Sequence, residues 1–146
     1  MKIMDTYREE ILEHWKNPLN FGGMKGADLV VEQINPLCGD EVTFFFKFLK
    51  KKNSKFEIRN SKILEVSFTG SGCAISIAAA SILSENIKGK NVSVLSKMTG
   101  EDVLKWIGGT VAPARLKCAF LALEAVRRIV TNDEGLKTKA KIGVGR

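Results

Sequence analysis

The chain has 146 residues, of which 45% are apolar and 27% charged, a composition typical of one soluble globular domain and not of a disordered or fibrous chain. No apolar run is long enough to cross a bilayer and no secretory leader is recognisable, so the sequence predicts a cytoplasmic protein that does not associate with membranes. The net charge is +7, but residues 47–62 alone carry a net +6, so the basic excess forms one stretch. No known nucleic-acid-binding motif accompanies this stretch, so we expect no nucleic-acid partner.

The first half of the chain predicts one helix followed by an antiparallel sheet. Apolar residues at helical spacing indicate an amphipathic helix over residues 5–15, and these are Tyr7, Ile11, Leu12 and Trp15. Three strands are predicted next, at residues 29–34, 41–49 and 63–69. Alternation predicts that the second strand buries Val42, Phe44, Phe46 and Phe48, and that the third buries Leu64, Val66 and Phe68. A turn at residues 35–40 joins the first two strands.

The second half predicts helices that cover one face of this sheet. An alanine-rich helix is expected over residues 74–86, with Cys73 at its N-terminus. Thr99 and Asp102 predict a capping box that opens a short helix, and Pro113 suits the first turn of a last helix that carries Cys118 in its opening turns. We therefore expect an α+β fold, with a three-stranded antiparallel sheet packed against several helices, in a single domain over residues 1–130 followed by a flexible basic tail over residues 131–146.

All three cysteines lie where one predicted element gives way to another. Cys38 falls in a turn, whereas Cys73 and Cys118 come near helix beginnings, where the helix dipole favours a thiolate. Successive cysteines are 35 and 45 residues apart, which excludes short-spaced zinc fingers and thioredoxin-type motifs. A long-range metal site that includes the nearby Asp40 is one interpretation. The other is that each cysteine is a small buried apolar residue.

Three motifs in the chain resemble those of the IscU/SufU/NifU-type iron–sulfur scaffold family. They are NPLCGD at residues 35–40, GSGCAIS at residues 70–76 and PARLKCAFLAL at residues 113–123. The opening segment is also similar to that of the family, with Tyr7 followed by HWKNPLNFG at residues 14–22. The resemblance covers the chain from about Tyr7 to Val130, and the motifs occur in the family's order.

The resemblance implies a SufE/NifU-like fold and a scaffold function rather than an enzyme. Such a scaffold accepts sulfur from a cysteine desulfurase, binds iron, and transfers a transient [2Fe-2S] cluster to apo iron–sulfur proteins. The implied ligands are Cys38, Cys73 and Cys118, with Asp40 as a fourth and more labile ligand. The resemblance leaves open whether zinc occupies the cluster-free form and whether the cluster-loaded form is a homodimer.

The chain departs from the IscU branch of the family in three places. Lys117 stands where many members of that branch have a histidine, and the one histidine, His14, is expected to be a helix-surface or packing residue. Lys117 resembles the SufU branch, although the interval before Cys118 is short for that branch's insertion. Residues 111–115 match the chaperone-recognition segment poorly, and residues 47–62 lengthen the first interval. The alternative function is therefore a SufU-like, zinc-dependent sulfurtransferase partner of a desulfurase.

Overall fold

Three strands and four α-helices make up the part of the chain that the computed structural model describes, which is residues 2–36, 39–50, 58–109 and 111–131. In chain order the helices and strands are α1 Lys2–Lys16, β1 Leu29–Ile34, β2 Glu41–Phe48, β3 Ile63–Ser71, α2 Ala74–Ile87, α3 Gly100–Trp106 and α4 Leu116–Thr131. Single 3₁₀ segments lie at Ile58–Asn60, Val92–Lys97 and Pro113–Arg115. The predicted tail, apart from Thr131, lies outside the described residues.

The sheet is antiparallel, with β2 between β1 and β3, which confirms the predicted α+β architecture. Every second residue of β2 is buried, as the alternating pattern predicts, and faces the helices that cover the sheet. Phe44 pairs with Val31 on one side and with Phe68 on the other. The rings of Phe44 and Phe68 stack with their centroids 5.6 Å apart, and this aromatic layer forms the centre of the core.

The prediction for Leu64 is wrong, because the pairing of β2 with β3 is irregular at that residue. Lys47 pairs with Glu65 and Phe48 pairs with Ile63, so Leu64 is an extra residue in β3. A bulge of this kind reverses the side-chain alternation beyond it. Ile63 is consequently buried, whereas the side chain of Leu64 is 47% exposed.

Helix α1 is also less buried than its amphipathic pattern predicts. Ile11 enters the core, but Leu12 and Trp15 are 39% and 46% exposed. Polar contacts attach the end of the helix to α2: His14 Nδ1 lies 2.7 Å from Ser81 Oγ, and the backbone N–H of Leu19 donates to the same oxygen at 2.8 Å. His14 is therefore a packing residue, as expected.

Helices α2 and α4 pack against one another over the sheet and bring their N-terminal ends together. Both helices bury small side chains, including Ala79 and Ala122. The capping box of Thr99 and Asp102 is present at the start of α3. Pro113 does not begin the last helix; it begins a 3₁₀ turn, and α4 starts at Leu116. None of the helices in the described residues is long and apolar enough to cross a membrane.

Candidate metal centre

Three of the four predicted ligands meet at one place. The metal-binding atoms of Asp40, Cys73 and Cys118 all lie within 4.8 Å of one another. Residues 37 and 38 lie outside the described residues, so the structure places neither Cys38 nor its thiol. The role of all four side chains as ligands stays a prediction, but the fold brings three of them together from separate parts of the sequence.

Each of these three side chains comes from the end of a helix or strand. Asp40 directly precedes β2, in a turn that is closed by hydrogen bonds from Asn35 N to Asp40 O and from Gly39 N to Asn35 O, both 2.8 Å long. Cys73 is the N-cap residue of α2, and its side chain makes no capping hydrogen bond to the backbone of that helix. Cys118 lies in the first turn of α4 and is buried. The starts of β2, α2 and α4 lie close together in the fold, so the side chains of Asp40, Cys73 and Cys118 converge.

Two glycines determine the backbone conformation and the packing around Asp40. Gly39 has a φ of +78°, a conformation that glycine adopts at little cost and that closes the turn before Asp40. Gly72 passes directly over the carboxylate: a Cβ at Gly72 would lie 2.7 Å from Asp40 Cγ. Any side chain at position 72 would therefore displace Asp40.

Ser76 is a part of this site that the sequence analysis missed. Its hydroxyl donates a hydrogen bond to Asp40 Oδ2 at 2.5 Å and lies 3.5 Å from Cys73 Sγ. The available signal was its position three residues after Cys73 in a predicted helix, because residues three apart share a helix face. The partner of Ser76 across the fold could not be read from that spacing.

Access to the site differs between its two described cysteines. Cys118 and Asp40 are each only 5% exposed, whereas Cys73 is half-buried. Both cysteines are present as thiols. Lys117 is exposed and lines an open surface pocket of about 190 Å³ together with Pro36 and Glu124, beside the turn that carries Asp40. Of the three donor groups, Cys73 is therefore the most accessible.

The donor atoms suit a thiophilic metal ion such as zinc or iron. Zn–S bonds are about 2.3 Å long, so neighbouring ligands of a tetrahedral ion lie roughly 4 Å apart. The three donor atoms here all lie within 4.8 Å of one another. Two sulfurs and one carboxylate oxygen fill three positions and leave one for a further ligand. The residues therefore fit such an ion and could hold it after small side-chain adjustments.

A comparison with known protein families identifies the family of this chain. The NifU-like N-terminal domain family matches residues 6–140, which includes every residue of the centre. The chain belongs to this family. Its membership agrees with the resemblance that the three cysteine motifs indicated.

Two relatives show how this NifU-like N-terminal domain compares with proteins of named function. It is 31% identical over 126 residues to the iron-sulfur cluster assembly scaffold protein IscU 1 of Archaeoglobus fulgidus, covering 86% of this chain and 75% of that protein. It is also 31% identical over 150 residues to the zinc-dependent sulfurtransferase SufU of Bacillus subtilis, covering 90% and 95% of the two chains. Both named branches are thus similar to the chain at the same level of identity.

A solved structure supports the fold. The N-terminal part of a nitrogen-fixing NifU-like protein from Brucella abortus superimposes with a TM-score of 0.65 and 21% identity, covering 92% of this NifU-like domain and 98% of that chain. Sequences at that identity can differ in function, so this similarity establishes the architecture alone.

Proposed function

We propose that this protein is a scaffold on which an iron–sulfur cluster is assembled and from which it is passed to apo-proteins. The observation that carries the proposal is the meeting of Asp40, Cys73 and Cys118 at one partly accessible place. We assign Cys38 to the same centre from its motif. The IscU name of the relative from Archaeoglobus fulgidus supports the scaffold function.

Sulfur delivery requires a thiolate that a partner can reach. A persulfide on a cysteine desulfurase would be attacked at its outer sulfur by a cysteine thiolate of the scaffold; the S–S bond of the donor breaks, its thiolate leaves, and the scaffold cysteine carries the new persulfide. Cys73 is the more exposed of the two described thiols, and its sulfur is not used as a helix cap. It therefore meets the requirement for access.

Release requires that one ligand be weaker than the rest. A carboxylate oxygen is a harder donor than a thiolate and binds iron within a sulfur-rich site less firmly. Asp40 supplies such an oxygen beside the thiols. We propose that an acceptor protein replaces this ligand first, so that a transient [2Fe-2S] cluster leaves as cargo. Thiols that must stay reduced also suit the cytoplasm as the site of this work.

The test is anaerobic incubation of the protein with iron, cysteine and a cysteine desulfurase, followed by addition of an apo-ferredoxin. We expect visible cluster absorption on this protein that decays as the ferredoxin acquires its own cluster. A protein that gains no chromophore under these conditions would refute the scaffold proposal. Omission of the desulfurase is the control for assembly from free sulfide.

A zinc-dependent sulfurtransferase function is the second candidate, and Lys117 is the feature that favours it. This lysine precedes Cys118 where many members of the IscU branch have a histidine, and the SufU of Bacillus subtilis is similar over 95% of its length. In this case the centre would hold zinc and accept sulfur without building a cluster. Zinc that stays bound while desulfurase turnover rises, with no chromophore, would establish this second function.

A further inference from the structure

Ser76 is one of three buried serines in α2, a helix whose other buried residues are apolar. It lies in the first turn of α2, is 4% exposed, and is soon followed by three consecutive alanines. Serine is less favourable than alanine inside a helix, and its hydroxyl needs a hydrogen-bond partner when it is buried. Packing alone therefore gives no reason for a serine here.

The hydroxyl of Ser76 finds its partner outside its own helix. Serines within helices commonly bond a backbone carbonyl of the preceding turn. Ser84 on the same helix does so and donates to Ser81 O at 2.7 Å. Ser76 instead donates at 2.5 Å to the carboxylate of Asp40, which lies 36 positions earlier in the chain. Because a hydroxyl has one proton, Ser76 donates to Asp40 alone, and at its 3.5 Å contact with Cys73 Sγ it can only accept.

Asp40 is consequently restrained on two sides. The Ser76 hydroxyl binds Oδ2, and the backbone of Gly72 lies so close that a Cβ there would be 2.8 Å from Oδ1. The carboxylate can present Oδ1 to an ion without breaking its bond to Ser76. It cannot rotate to offer both oxygens unless that bond is lost.

We propose that Ser76 is a positioning residue of the metal centre, which holds Asp40 as a ligand through a single oxygen. The inference rests on the proposed function, since it assumes that Asp40 faces a metal. Groups that hydrogen-bond to a metal ligand typically change metal affinity about 10- to 100-fold when they are removed. Because the hydrogen bond from Ser76 already fixes the carboxylate of Asp40, that side chain loses little conformational entropy when an ion binds. This favours binding.

The experiment compares Ser76→Ala with the unaltered protein and with Ser84→Ala. Ser84 is a buried serine two turns further along the same helix, and its hydroxyl donates to Ser81 O and accepts from Asn20 Nδ2, not from any group of the metal centre. Zinc affinity is measured by competition with a chromophoric chelator, and the ligand-field bands of bound Co²⁺ report the coordination. We expect Ser76→Ala to weaken zinc binding about tenfold or more and to alter the Co²⁺ spectrum. Ser84→Ala should change neither.

The Asp40→Ala background separates positioning from a general structural role. If Ser76 acts through Asp40, adding Ser76→Ala to Asp40→Ala causes no further loss of zinc affinity. The inference is overturned if Ser76→Ala binds zinc as the unaltered protein does, or if it weakens binding equally in both backgrounds. If the unaltered protein binds neither zinc nor Co²⁺, Asp40 has no ion to hold and the inference is overturned, whereas the scaffold function is refuted only by the absence of a chromophore in the reconstitution assay.

Discussion

Replacing Gly72 by alanine should disable the centre by displacing Asp40 while leaving every ligand in the sequence. The added Cβ would lie 2.7 Å from Asp40 Cγ, 2.8 Å from Oδ1 and 3.0 Å from Cβ. Carbon atoms in ordinary contact are about 3.5 to 4.0 Å apart, so the carboxylate must move by roughly 1 Å. Metal–ligand distances tolerate only about 0.2 Å. Ser76 would also lose the geometry of its hydrogen bond.

We expect Gly72→Ala to weaken zinc binding by about 10- to 100-fold, which corresponds to roughly 1.4 to 2.7 kcal/mol. The metal-free chain should lose about 1 to 3 kcal/mol of stability, because inserting an atom into a packed region costs this much. Chelator competition measures the first effect, and urea denaturation of the metal-free protein measures the second. Gly23→Ala is the matched control, since a Cβ there meets nothing within 4 Å.

The outcome that would refute this reasoning is a Gly72→Ala protein that binds zinc within twofold of the Gly23→Ala control. A loss of stability together with unchanged affinity would be equally informative. It would mean that Asp40 moves, as the steric argument requires, but is not a ligand of the metal.

The remaining predictions concern the ligands and one helix cap. Serine at Cys38, Cys73 or Cys118 should abolish transferable cluster, which apo-ferredoxin reconstitution measures; a yield equal to that of the unaltered protein would exclude the altered cysteine as a ligand. Asp40→Ala should slow cluster transfer, because it removes the labile ligand and a negative charge beside the thiolates, and unchanged transfer kinetics would argue against that role. Thr99→Ala removes the hydroxyl that accepts from the Asp102 backbone N–H and should cost about 0.5 to 2 kcal/mol in urea denaturation, with no effect on zinc affinity.

Much of the fold could be predicted because the patterns that specify it are local. The alternation in β2 identifies a strand with one buried face, and the capping box of Thr99 identifies the start of α3. Leu64 shows the limit of this approach. Its exposure follows from a bulge in the pairing with β2, and pairing register depends on two strands at once.

The candidate site, too, could be predicted only in part. The cysteine motifs and Asp40 could be identified from their similarity to a family, but their spacings of 35 and 45 residues gave no sign that the groups meet. Ser76 was missed because its partner lies 36 positions away. The exposure of Trp15 was also missed, because the helical pattern does not show that His14 and Leu19 attach the end of α1 to Ser81 through polar contacts.

Asp40, Cys73 and Cys118 come from the ends of β2, α2 and α4, so an ion or cluster held by them would cross-link three separate parts of the fold. The unfolded chain has no such site, so whatever binds there stabilises the folded state by mass action, by about 2.7 kcal/mol at a free concentration of 100 times the Kd. The coupling works in both directions. A partner that pulls the start of α2 away from the β1–β2 turn would loosen the ligands together, and unloading could then be driven by mechanical opening as well as by ligand exchange.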